Sequence, residues 1–141
     1  MAAVIDSGAI YALYDADDAH HPRVRAAVAR ERGPLLVPTA LLAEVDYLVR
    51  TYLGVDAALH LLHDLRSGFF QLVPLTDTDL RLCGALIARY RDADLGLADA
   101  SVLAAAERLG IRRVLTVDER HFRLVRLRDG TAVTVLPADE E

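Results

Sequence analysis

Hydrophobic residues fall in two rhythms along this chain. Short apolar runs rich in Val, Ile and Leu alternate with longer segments whose apolar positions recur at helical spacing, which predicts strands alternating with helices. The strand candidates are Ala3-Val4-Ile5, Leu35 to Pro38, Phe69 to Pro74, Arg113 to Val117 and Ala132 to Leu136. Helices are expected from Ala9 to Tyr14, from His21-Pro22 to Gly33-Pro34, from Thr39 to Tyr52 or Leu53 with Gly54 as the stop, and from Val55 to Ser67. Two more run from Thr76-Asp77 to Arg91 and from Gly96 to Leu109, the latter closed by Gly110. Polar starts and glycine stops are what helix termini require. The alternation predicts an α/β fold, with a mostly parallel sheet of four or five strands flanked by helices in three layers.

Composition narrows the class. The 141 residues are 53% hydrophobic and 26% charged, enough for one domain spanning 1–141 to bury a core without disulfides or a structural metal. Cys83 is the sole cysteine, which excludes an internal disulfide and points to a reducing, cytoplasmic setting. The N-terminus reaches Asp6 without a basic stretch, and no apolar run approaches the length of a membrane span, so neither a signal peptide nor a membrane segment is expected. A net charge of −5 argues against coating nucleic acid with a basic face. Every one of the 16 basic residues is arginine, which excludes Schiff-base lysines and the P-loop lysine.

The chemistry-bearing positions are acidic. In open parallel sheets ligands bind beyond the carboxyl ends of the strands, and Asp6 follows the first strand candidate as Asp118 follows the fourth. Either alone also reads as an ordinary turn aspartate. Glu44 shares a helical stripe with Leu41, Val45 and Leu48, which predicts an inward carboxylate needing an arginine or a cation. Asp99 shares one with Val102, Leu103 and Ala106, although the first turn of a helix also stabilises an anion. Asp94 precedes that helix and reads as a cap or a fifth acid, and Asp46 as a surface charge. Two strand-end and two helix acids repel one another unless a cation lies among them. An all-oxygen donor set suits one or two Mg²⁺ or Mn²⁺ ions.

The order of these residues resembles the PIN-domain ribonucleases, in particular the VapC-type toxins of bacterial toxin–antitoxin pairs. The resemblance rests on Val4-Ile5-Asp6-Ser7-Gly8-Ala9, Thr39-Ala40-Leu41-Leu42-Ala43-Glu44-Val45, Asp94-Leu95-Gly96-Leu97-Ala98-Asp99-Ala100 and Leu115-Thr116-Val117-Asp118 followed by His121-Phe122. It implies a Rossmann-like PIN fold and a metal-dependent endoribonuclease. Asp6 and Asp99 would be the main metal ligands, with Glu44 and Asp118 completing the site, Asp94 as a further candidate, and Ser7 and Thr116 in support. It also implies RNA as substrate, an antitoxin that crosses the active-site groove, and a homodimer, for which the apolar hairpin from Leu41 to Leu65 offers a face unless its stripe packs internally. Arg120, Arg123, Arg126 and Arg128 lie just beyond Asp118 and could contact phosphate.

Other signals read as structural. His60 and His63 have metal-compatible spacing but no third ligand, His20-His21 reads as loop, His121 as a surface histidine that, close to Asp118, could also approach the site, Cys83 as a small core residue, and Asp139-Glu140-Glu141 as a solvated tail. The competing functions are a PIN-like regulator that binds a partner without cutting RNA, a PIN nuclease of RNA processing, and a Mg²⁺ phosphatase. Gly8, where a phosphatase needs Asp-x-Asp, argues against the last.

Overall fold

A computed structural model describes residues 1–140. Five short strands, β1 (Ala3–Ile5), β2 (Leu35–Pro38), β3 (Phe70–Val73), β4 (Arg113–Leu115) and β5 (Thr134–Leu136), form one sheet in the order β3-β2-β1-β4-β5. Every pairing is parallel. Seven α-helices connect them: α1 (Ser7–Tyr14), α2 (His21–Arg30), α3 (Leu42–Leu53), α4 (Val55–Ser67), α5 (Asp77–Arg89), α6 (Leu97–Leu109) and α7 (Glu119–Leu124). All three residues of β1 are buried, as a central parallel strand with both faces covered requires. The expected three-layer α/β architecture is the one observed, with five strands.

The strand order places the site. From β1 the chain steps outward to β2 and β3, then returns so that β4 pairs with the other edge of β1, Val4 opposite Val114 and Ile5 opposite Leu115. The C-terminal ends of β1 and β4 therefore open side by side where the winding direction reverses, the crevice in which such sheets bind ligands. Helix α6 packs on this central part of the sheet and is buried at every position from Ala100 to Ala106. Its alanines let it lie close to the strands. Asp79 of α5 ties that helix to the far end of α6 through two hydrogen bonds from Arg108, at 2.8 and 3.1 Å.

Local departures from the sequence expectations have visible causes. Helix α1 begins at Ser7 rather than Ala9 because Asp6 caps it. Thr39 does not cap α3. It opens a 3₁₀ turn, Thr39–Leu41, and its hydroxyl oxygen accepts from the Leu75 amide across the sheet edge at 3.0 Å. Strand β4 stops at Leu115 rather than Val117, and α7 follows in a stretch to which the sequence pattern assigned no element. The C-terminal acids are not a loose tail. Asp139 accepts from Arg123 and from the Val135 amide, and Glu140 pairs with Arg113. Glu141 lies outside the described residues.

Candidate active site

Asp6 leaves β1 in an extended conformation and caps α1, its Oδ1 accepting from the Ser7 amide at 2.6 Å and the Ser7 hydroxyl at 3.3 Å. It is almost completely buried. Burial outweighs these hydrogen bonds and that from Thr116, and Asp118 adds repulsion, so the Asp6 pKa is raised. Gly8 makes room for the opposing loop, since a Cβ there would lie 2.9 Å from the Val117 methyl.

That loop carries Thr116 and Asp118. The buried Thr116 hydroxyl donates to Asp6 Oδ2 at 2.7 Å and accepts from the Asp118 amide at 2.9 Å, so one side chain spaces two carboxylates held by different strands. Asp118 caps α7, and its Oδ2 lies 2.7 Å from Nδ1 of His121, which is in turn 3.7 Å from Oδ2 of Asp99. His121 is 13% exposed, not the surface histidine expected from sequence. Burial disfavours its charge, but the Asp118 hydrogen bond, the Asp118 and Asp99 charges and a backbone bond to Ala93 outweigh it, and its pKa is raised.

Asp99 sits in the first turn of α6 with 23% of its side chain exposed. Its pKa rises to about 6, first through burial and then through the charges of Asp6, Asp118 and Glu44, against the opposing effect of His121. Those causes place Asp6, Asp118 and Glu44 within electrostatic reach of Asp99. Glu44 is a correction in one respect. It is solvent-exposed rather than inward, because the buried face of α3 runs through Val45 and Val49. The arginine that a buried Glu44 would have needed is not there among the described ion pairs.

Asp94 stands apart. It adopts a left-handed conformation, is exposed, and leaves the N-cap of α6 to Gly96. It is not among the leading influences on the pKa of Asp6 or Asp99. Arg123 is engaged at the surface by Asp139 and Glu119, while Arg120 is exposed without an ion pair among the described residues. Arg126 and Arg128 line a separate cavity of about 200 Å³ with Leu82, Leu86 and Leu103. His60 and His63 are exposed, and Cys83 is buried with its thiol pKa raised by burial.

The donor set is all oxygen and mutually repulsive, which fits a hard divalent cation. Among the described residues no three His, Cys, Asp or Glu side chains are gathered closely enough to hold a metal ion by themselves. Mg²⁺ does not require such a set, since it commonly takes one or two carboxylates and completes its shell with water and phosphate.

Comparison with known proteins matches residues 3–127 to the PIN domain model. The chain belongs to the PIN domain family. It is 34% identical to Ribonuclease VapC26 of Mycobacterium tuberculosis over 134 residues, covering 95% of this chain and 99% of that protein. Among solved structures, this PIN domain superposes on the crystal structure of M. tuberculosis VapC20, described as a sarcin–ricin loop cleaving toxin, with a TM-score of 0.77 and 19% identity, covering 86% of this chain and 92% of that one. DNA-bound VapBC from Salmonella typhimurium gives a TM-score of 0.66 at 17% identity, over 96% and 98% of the respective chains. The fold expected from the sequence is thus the fold these toxins share.

Proposed function

We propose that this protein is a divalent-metal-dependent endoribonuclease, the toxin of a toxin–antitoxin pair, with residues 1–141 acting as a single PIN unit in the cytoplasm. The observation that carries the reading is that Asp6, Thr116, Asp118, His121 and Asp99 follow one another in contact beyond β1 and β4, with Glu44 near enough for its charge to raise the Asp99 pKa. Identity to a protein named as a ribonuclease over nearly the whole chain supports it.

Asp6 and Asp99 would hold the ion, Mg²⁺ or Mn²⁺, with Asp118 and Glu44 completing the site directly or through water. The ion supplies Lewis-acid activation of a water and neutralises the charge developing on the phosphate. Thr116 and Ser7 hydrogen-bond Asp6, the one buried acid of the four, while the exposed Glu44 would orient the attacking water or accept its proton. Arg120, exposed on α7 two residues beyond Asp118, would meet a phosphate oxygen. Two bound divalent ions would bring the formal charge of −5 to about −1, which makes an acidic surface compatible with RNA.

The partner reading has its own support. Val55, Leu59 and Leu62 are exposed at helical spacing along α4, with Tyr47 and Tyr52 exposed on α3, while the inner stripe of the same hairpin, Val45, Val49, Ala58 and Leu61, is buried in the core. The outer stripe suits an antitoxin or a second copy of the chain. VapBC and other toxin–antitoxin complexes among the structural neighbours favour the antitoxin.

Metal-stripped protein tests the reading. A labelled RNA should stay intact in EDTA and be cut into discrete fragments when Mg²⁺ or Mn²⁺ is restored. Cleavage that persists in EDTA would contradict it.

A further inference from the structure

We propose that His121 is a positioning residue of the metal site, fixing Asp118, and through it the spacing to Asp99, in the arrangement that binds a divalent cation. The inference rests on the metal-dependent nuclease reading above.

The five histidines of the chain separate cleanly by surroundings. His20, His60 and His63 are exposed. His21 is structural, its Nδ1 2.7 Å from the Ala12 carbonyl oxygen at the end of α1. His121 alone is set against carboxylates of the candidate site, with Nδ1 2.7 Å from Asp118 Oδ2 and 3.7 Å from Asp99 Oδ2. The ring also bonds the Ala93 backbone, so it is held from both ends, by the turn that leads into α6 and by the loop that leads out of β4. A carboxylate accepts, so Nδ1 is the donor to Asp118.

Phe122, fully buried beside it, fixes the helix on which the ring stands. The imidazole therefore has little freedom to leave. By taking Asp118 Oδ2, it leaves Oδ1, whose nearest donor is the His121 amide at 3.5 Å, as the oxygen available to a cation. Asp99 lies beyond hydrogen-bond distance of the ring and keeps both of its oxygens for the ion. Hydrogen bonds of this kind to metal-binding side chains set their orientation and are worth about 10- to 100-fold in metal affinity.

The test uses the full chain, stripped of metal, at one fixed pH, with Mn²⁺ binding followed by the electron paramagnetic resonance signal of the free ion. His121→Ala is expected to weaken Mn²⁺ binding about 10- to 100-fold. His121→Asn, whose side-chain N–H falls where Nδ1 donates, should recover most of that loss. His121→Gln, whose N–H falls nearer Nε2, should not. Circular dichroism melting of each variant separates loss of fold from loss of the site, and if the alanine variant unfolds the Asn–Gln contrast carries the test. Wild-type or tighter affinity in His121→Ala, or equal affinity in the Asn and Gln variants, would overturn the role of His121 alone. If the wild type itself binds no Mn²⁺, the metal reading falls and this inference falls with it.

Discussion

Five side chains form a continuous line through the site, Asp6, Thr116, Asp118, His121 and Asp99, each within 3.7 Å of the next through a hydroxyl, an amide or an imidazole. Thr116 is the least replaceable link, because Val keeps its shape but neither donates to Asp6 nor accepts from Asp118. Thr116→Val should lower stability by about 1–2 kcal/mol in a denaturant titration and reduce RNA cleavage more than tenfold. Asp99 makes a pH-dependent prediction. Its pKa rises from 3.8 in the unfolded chain to about 6 in the fold, so the folded state holds the proton more tightly. That stabilising contribution is complete below 3.8 and is lost as the pH rises through 6. His121, raised above 6.5, acts in the same direction in a higher window. Metal-free protein should thus melt at a lower temperature at pH 7.5 than at pH 5. Asp99→Asn should recover on the order of 1–2 kcal/mol at pH 7.5 and flatten the profile, measured by thermal melting. An unchanged profile would contradict the burial and repulsion assigned to Asp99. Asp6 was legible because it directly follows Ile5, the last residue of β1, and Asp118 because it closes the apolar run that begins in β4, although the strand itself ends at Leu115. Glu44 was legible as a site residue but not in its exposure, since a single helical stripe does not say where the covering layer stops. His121 reads in the sequence as a surface histidine that could also approach the site, and what the sequence does not show is that a histidine three residues after Asp118 turns back onto it.

At the scale of elements, the parallel strands and long helices follow from the hydrophobic rhythm, and the pieces that do not are short. Helix α7 spans six residues, too few for a helical period to declare itself against a loop. Its position is set by tertiary burial of Phe122 and by the Asp118 cap. Because α7 presents His121 to Asp118, the anchor matters to the site as well as to the core. Phe122→Ala should cost about 3–5 kcal/mol in chemical denaturation, and Mn²⁺ binding should weaken even under conditions where the protein stays folded. Thr39 illustrates the complementary limit. Its sequence context is that of a helix cap, yet a strand-edge amide thirty-six residues away takes its oxygen, a non-local competitor that local propensity does not contain.

For the molecule as a whole, the reversal of winding between β1 and β4 turns separate acids into one cluster. Lysine-free composition and a charge of −5 indicated early that phosphate binding would depend on something other than a basic face. On the proposed reading the fold supplies the alternative, a set of carboxylates whose repulsion a divalent ion would relieve. The most direct test compares wild type, Asp99→Asn and Asp94→Asn on total cellular RNA with Mn²⁺ present, with each protein first freed of metal and of any bound partner. The account predicts discrete cleavage products from the wild type and from Asp94→Asn and none from Asp99→Asn. Cleavage by Asp99→Asn at the wild-type rate, or an inert wild type, would contradict it.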